Sequence, residues 1–488
     1  MTEITTTDQS GLEKIKNYIR DFKVLGQNSK SFWVLQGINI LDCIAYYAMV
    51  TTVTLFLTGQ ISDGGVGLSD IASGDVMFWW GIIISASLFM TGFITDTIGI
   101  KRSIVIGSTI QWVTRGGIAF CALSPELPNR EIIIITFFLL SAPGMAMMQT
   151  SFQVGNKLFS TNKSRAASFN AWYLLMNLGF VIGALLADQI RVDMMLPISY
   201  IFAASAIACV TSVVISLMAI NQKTDTLTNL SDEQATQSDE LPKSVFKRFT
   251  NLIVQPAFQR LLALMAVLTG VRAVFLYGFL LMPLYWKRVM EIPNGGPVEQ
   301  GFLQMINPLF IFVGLTLFIP IANKFNMFKM LIAGAIVSSL SVLVLALPWE
   351  WFGGNMVDGY FNMAIVMMLL LSLGEITWSP KLYEYTAAIA PKGQEGAYMG
   401  MSILPYFVAK VVVTKLSGVM LVTWVAEDVS VRIADGTLPF WESPEAMWLV
   451  LGVWALSGPV IAWFFRGWFT KGTTAAQQQA DSAQPATA

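Results

Sequence analysis

Histidine is absent from the 488-residue chain, and only 12% of its residues are charged. The first absence removes the side chain most used for proton shuttling near neutral pH and the commonest metal ligand, so any proton-coupled step has to use carboxylates. Cysteine is nearly absent too: Cys43, Cys121 and Cys209 are far apart and lie in or at the ends of apolar segments. They read as packing residues, with no disulfide framework and no zinc spacing. There is no G-x-S-x-G elbow, no phosphate-binding glycine loop and no soluble catalytic stretch, so the sequence predicts neither an enzyme nor a cofactor or metal. Thirty basic residues stand against 31 acidic ones, a net charge of −1, which leaves no field to attract nucleic acid.

What is present is apolar: 55% of the residues are hydrophobic and the mean hydropathy is +0.61. A helix that crosses a bilayer needs roughly 20 such residues. Twelve runs qualify, near 31–57, 76–97, 103–123, 132–157, 167–188, 197–220, 260–285, 301–323, 330–348, 360–388, 398–424 and 445–466. The polar segment from Asn221 to Gln255 is too poor in apolar residues to fold alone and divides the runs into two sets of six. The predicted organisation is a polar tail at 1–30, a six-helix bundle at 31–220, a linker at 221–257, a second bundle at 258–466 and a tail at 467–488. The first 30 residues contain no apolar core like that of a signal peptide.

The basic residues orient the chain. With the N-terminus inside, 19 of them fall on the cytoplasmic side and five outside (Arg130, Arg191, Lys287, Arg288 and Arg432). By the positive-inside rule both termini are cytoplasmic, and the predicted home is a bacterial inner membrane. Five more cations, Arg115, Arg272, Lys381, Lys410 and Lys415, lie within apolar runs.

The loop after the second run reads Gly92, Asp96, Gly99, Lys101 and Arg102 in a G-x-x-x-D-x-x-G-x-K/R-R pattern. Its glycines suit close helix approach and a tight turn, and its aspartate suits a cationic partner or a helix N-terminus. In this context the pattern resembles that of the major facilitator superfamily, whose two halves rock about a central site. The resemblance implies an all-α membrane protein of twelve helices in two six-helix halves.

Further segments resemble the proton-dependent oligopeptide transporter family, the peptide branch of that superfamily. They are Phe169 through Trp172, Tyr173, Asn177 and Gly179 in the fifth run; Gln304, Asn307, Pro308 and Phe310 in the eighth; and Gly374-Glu375 with Ser379-Pro380 in the tenth, followed by Ala390-Pro391-Lys392 and Met399-Gly400. The first run aligns more weakly, through Asn39, Asp42, Cys43, Tyr46 and Tyr47. The departures matter. Where the family has a glutamate, a second glutamate and an arginine, this chain has Asn39, Asp42 and Cys43, and the family's lysine of the fourth run falls near Gln149. In the family that arginine and lysine are linked to the solute carboxylate and to proton coupling, so both functions lose their usual carriers.

An ionised side chain at mid-membrane costs roughly 2.5–3.5 kcal/mol on insertion scales, so such residues normally face a cavity or a partner. Glu375 is the candidate receptor for a solute ammonium group or a proton, the role the resemblance implies, with a structural pair to Lys410 as the alternative. Arg115 is read either as a bidentate clamp for a solute carboxylate or as part of a buried network. Arg272 is read chiefly as the partner of Asp42 in a gate. Lys410 is a candidate for anion binding or coupling, Lys415 for reaching out to the membrane surface, and Lys381 for pairing with Glu384 three residues on. Tyr46, Tyr47, Asn177 and Asn307 complete the expected solute site. The predicted function is secondary active transport of a small polar, carboxylate-bearing solute, a peptide or amino-acid derivative, with protons as the coupling ion and a monomer as the working unit. The cationic surplus within the runs also fits a carrier of small organic anions, for example a carboxylate siderophore, with other or no proton coupling.

Overall fold

In hydrocarbon every backbone N–H and C=O has to be satisfied within the segment, which leaves an apolar run little choice but a helix. All twelve runs are helical in the computed structural model, which describes residues 23–161, 164–225, 253–290, 297–322, 326–389 and 404–471. The first six are α1 (Lys30–Val50), α2 (Asp70–Ile98), α3 (Ile100–Ala122), α4 (Arg130–Leu158), α5 (Arg165–Asp188) and α6 (Ser199–Ala219). The seventh, α7, comes in three pieces, Pro256–Val267, Thr269–Leu280 and Met282–Met290. Then follow α8 (Gln300–Ala322), α9 (Met327–Leu343), α10 (Met356–Ile389), α11 (Leu404–Trp424) and α12 (Pro444–Phe464). Among the described residues eight helices are long and apolar enough to cross a membrane, and the first two pieces of α7, counted together, bring the number to nine. There is no strand among them.

The sequence treats the seventh run as one span, and the structure bends it by 47° between Val267 and Thr269. Two features locate the break. Thr269 Oγ1 bonds back to the Met265 carbonyl at 3.1 Å, a local bond that competes with the helical ladder. Gly270 lies where an added Cβ would come within 2.8 Å of the Ala455 Cα on α12. Side-chain caps start several of the other helices: Ser29 accepts from the Phe32 N–H, Ser69 from Ala72, Asn326 from Lys329 and Ser443 from Ala446, each satisfying a donor that the helix itself cannot.

The chain divides into two compact units. One comprises Met1–Leu230, Gly278–Phe312 and Thr414–Val431; the other comprises Ser231–Tyr277, Val313–Val413 and Arg432–Ala488. In the first unit α1 packs on α5 and α6, α3 on α4 and α6, and α2 on α4. The approach of α1 to α5 depends on missing side chains: a Cβ on Gly179 would collide with Cys43, and one on Gly183 would lie 2.6 Å from the Ile44 carbonyl oxygen. In the second unit α9 packs on α10 and α12. Its core gathers Phe258, Leu261 and Leu264 of α7, Leu331 and Ala335 of α9, and Trp378 and Leu382 of α10.

Candidate functional site

The expected site residues fall on both units. In the first, Asp42 is half-buried on α1, one turn before Tyr46 on the same helix. Tyr46 and Tyr47 are also half-buried. Tyr47 stacks on Phe180 of α5, with ring centres 3.9 Å apart and planes 4° from parallel. Phe279 of α7 lies 5.7 Å from Phe180 and 6.5 Å from Tyr47, and Tyr46 meets Tyr47 edge-on at 5.0 Å. Helix 1 thus presents a carboxylate flanked by an aromatic cluster. Asn177 is buried and donates to the Tyr173 carbonyl of its own helix at 2.9 Å, so part of its bonding capacity is already spent. Asn307 is half-buried on α8.

Arg115 of α3 is wholly buried. Its Nη1 donates to the Cys209 sulfur of α6 at 3.6 Å, and its Nε and Nη2 have no partner among the described residues. It lies within Coulombic reach of Asp42. The positions where the resembled family has charge are used differently. Asn39 accepts from Trp172 Nε1 at 3.1 Å, tying α1 to α5, and Cys43 packs against Gly179. Gln149 is exposed.

In the second unit Glu375 is half-buried on α10. Its neighbour Gly374 leaves the space in which Ser338 of α9 sits. One turn on, Trp378 donates from Nε1 to Ser338 Oγ at 3.1 Å and underlies the Arg272 guanidinium, 4.6 Å from the ring centre, a cation–π arrangement. Lys410 is half-buried on α11. Lys381 donates to Glu384 at 2.6 Å, the pairing its spacing suggests. The Asp42–Arg272 gate would join the two units and stays a proposal.

The loop motif keeps its turn. Gly99 takes φ 84° and ψ 160° between α2 and α3, a backbone conformation that side chains resist. Arg102 is exposed, and Lys101 donates to the Leu217 carbonyl of α6 at 2.8 Å. Gly92 and the Asp96 side chain lie outside the described residues.

Sequence reasoning passed over a further set of polar residues at the end of the first unit where α1 finishes and α2 begins. Arg288 of α7 pairs with both oxygens of Asp70 on α2, at 2.9 and 2.8 Å, and donates to the Val425 carbonyl at 2.7 Å. Lys415 of α11, expected to reach out to the membrane surface, pairs instead with Asp75 on α2, because a carboxylate stands within reach. Asp188 of α5 accepts from the Phe302 N–H of α8 at 2.8 Å, and Gln304 donates to the Thr51 carbonyl at 3.2 Å. In the sequence Asp70, Asp75, Asp188 and Arg288 look like ordinary loop-end polar groups. The one available signal is that Asp70, Asp75 and Arg288 fall at the same face of the predicted topology.

Residues 35–414 match the profile of the Major Facilitator Superfamily. Among solved structures, one described as a POT family transporter in complex with 5-aminolevulinic acid aligns with a TM-score of 0.69 at 16% identity, over 91% of this chain and 97% of that one. A POT family transporter in complex with a thioalcohol-conjugated peptide aligns at 0.68 and 16% identity, over 90% and 96%. A peptide transporter POT in complex with sulfate aligns at 0.69 and 15% identity, over 91% and 95%. No curated protein matches the chain significantly by sequence.

Proposed function

The chain belongs to the major facilitator superfamily, and we propose that it moves a small polar, carboxylate-bearing solute, a short peptide or amino-acid derivative, across the membrane by alternating access driven by protons. It is a multi-pass integral membrane protein and a transporter of small solutes. The finer reading places it in a bacterial inner membrane, as a monomer with both termini in the cytoplasm, and takes the Arg288–Asp70 end as the outer face.

The observation that carries alternating access is the set of ties at that end. Among the described residues, segments of α7, α8 and α11, from the second half of the sequence, are held to α1, α2 and α5 by a buried ion pair, an exposed ion pair and hydrogen bonds at Asp188 and Gln304. Such polar ties can close a face and, being separable in water, release it. For the solute, Glu375 is the receptor for an amino group, with Tyr46, Tyr47, Asn177 and Asn307 as polar and aromatic walls. Arg115, Arg272 and Lys410 are the cations from which a carboxylate partner would come. The bound molecules named for the similar transporters, an amino acid and a modified peptide, are of the same class.

The organic-anion reading loses ground. It rests on five cations within apolar runs, and two of these are already neutralised, Lys381 by Glu384 and Lys415 by Asp75.

Reconstitution into proteoliposomes, with labelled dialanine and 5-aminolevulinate as probes and citrate as competitor, tests the reading. Uptake of either probe should rise several-fold under an inward proton gradient and fall to background in Glu375→Gln. Uptake blind to both the gradient and that substitution, or inhibition by citrate alone, would sink it.

A further inference from the structure

The second unit builds the same short turn twice. Leu347-Pro348-Trp349-Glu350-Trp351-Phe352 leads towards α10, and Leu438-Pro439-Phe440-Trp441-Glu442-Ser443 leads into α12. Each proline, with φ of −60° and −64°, the value its ring imposes, starts a single 3₁₀ turn. The Pro348 carbonyl accepts from the Trp351 N–H at 3.2 Å and the Trp349 carbonyl from Phe352 at 2.9 Å; the Pro439 carbonyl accepts from Glu442 at 2.9 Å and that of Phe440 from Ser443 at 3.0 Å. Both turns are fastened to the helices they precede. Asn362 of α10 donates to the Phe352 carbonyl at 2.9 Å, and Ser443 caps α12. Tyr360 of α10 donates to Glu445 of α12 at 2.5 Å, so the two turns stand at one end of the unit. The backbone is fixed, yet the rings are held out: Trp351 is 72% exposed, Trp441 69%, and Phe440 is exposed as well.

The opposite end of α12 has a matching group. Trp463, Phe464, Phe465 and Trp468 are exposed there, and the Arg466 guanidinium lies 4.8 Å from the centre of the Trp463 ring. Between the two groups α12 runs for 21 residues, about 31 Å at 1.5 Å per residue, and a bilayer's hydrocarbon core is about 30 Å thick. Along it Val450, Val453, Val460 and Ile461, spaced as one helix face, are exposed. We propose that these two aromatic collars moor the second unit to the lipid headgroup regions on both sides of the membrane, with the exposed face of α12 between them against the acyl chains. Aromatic, aliphatic and aromatic surface in that order, over that length, follows the polarity profile of a bilayer. An indole suits the boundary because its N–H bonds a headgroup oxygen while its ring stays in apolar surroundings. Arg466 offers lipid phosphate a cation, and Glu442 is paired with Arg432 at 2.8 Å, so its charge does not oppose the contact. The first unit has no equivalent of the outermost rings: the joins from α1 to α2, α3 to α4 and α5 to α6, at 59–69, 123–129 and 189–198, contain no aromatic residue.

Depth measurement in a bilayer tests the mooring without any solute, gradient or assumption about which side faces out. The three native cysteines are buried, which leaves an introduced cysteine to take a nitroxide label. Labels are placed on the full-length protein at Glu350→Cys and Glu442→Cys, beside the rings of the two turns, and at Ser62→Cys, an exposed position of the first unit's join. The protein is reconstituted into vesicles of phosphatidylcholine and phosphatidylglycerol, and collisions are compared with oxygen, which concentrates in the bilayer, and with a water-soluble nickel chelate. The labels at 350 and 442 should meet oxygen several-fold more, relative to nickel, than the label at 62. Trp351→Ala and Trp441→Ala, each beside its own label, should shift that ratio several-fold towards nickel; both rings are exposed, so folding does not depend on them. Nickel-dominated collisions at 350 and 442 overturn the proposal, and so do ratios that the alanine variants leave in place. Dipolar broadening at 350 or 442 that disappears on dilution with unlabelled protein would assign the turns to a second copy of the chain and overturn it as well.

Discussion

Two arginines of the same compact unit, Arg288 and Arg115, are both buried, and they are used in opposite ways. Arg288 has its terminal nitrogens on both oxygens of Asp70 and on the Val425 carbonyl. Among the described residues Arg115 has one sulfur contact and two donor atoms without a partner. Since neither guanidinium can be neutralised to escape its desolvation, the contrast separates a finished tie from an unfinished one. Arg130 confirms the pattern for structural cations: it donates to the Cys121, Gly65 and Ala122 carbonyls at 2.9, 2.7 and 3.1 Å. The half-satisfied arginine is the one set among the candidate solute and coupling residues, where a change of partner has a use.

The contrast can be broken at its strong side first. Arg288→Ala leaves Asp70 buried without its cation, a change that typically costs about 3–5 kcal/mol. The thermal midpoint should drop further than in Gly183→Val, Asn39→Ala or Lys415→Ala, and Asp70→Asn/Arg288→Gln should be milder than Arg288→Ala alone. If the double variant is as damaged as the single, the pair is not what holds that end. Next in size is Gly183→Val. Its Cβ would lie 2.6 Å from the Ile44 carbonyl oxygen and 3.0 Å from the Ala48 nitrogen, and overpacking of this kind costs about 1–3 kcal/mol. Gly278→Ala is the control, because among the described residues no atom outside its own stretch of helix lies within 4 Å of the Cβ it would add. Smaller again is Asn39→Ala, which strands the Trp172 indole N–H; loss of one such bond is worth about 1 kcal/mol, measured as a small fall in melting temperature with uptake largely retained.

Much of this fold was legible because a bilayer leaves few alternatives: apolar length gave the number of helices. The loop motif was legible because Gly99 has to adopt a conformation that few residues tolerate. The break in α7 was not, since Thr269 and Gly270 signal a bend only once α12 is seen beside them. For the site, the sequence picked out Asp42 and Arg115 individually as charges in apolar surroundings, but not the partner each would take. Partner choice depends on which helices are neighbours, and residue spacing within one helix says nothing about that. The substitution of Cys43 for the resembled family's arginine shows the same limit. Its structural meaning became readable through Gly179 beneath Cys43.

Lys415 and Asp75 offer the finest test of whether partner count or environment gives a tie its strength. Like Arg288 and Asp70 they join α2 to a helix of the second half, but their side chains are 60% and 43% exposed, against 8% and 11% for the buried pair. Water screens an exposed pair, and holding a long lysine in one rotamer offsets part of the attraction, so Lys415→Ala should change stability by no more than about 1 kcal/mol. That small effect should shrink further as salt is raised, because exposed charges are screened within roughly 10 Å at 0.1 M ionic strength. The Arg288→Ala penalty should persist, since the buried pair is sheltered from the ions. Equal salt sensitivity in the two variants would mean that both ties open to solvent readily, and the division between a buried bolt and a surface contact at that face would have to be given up.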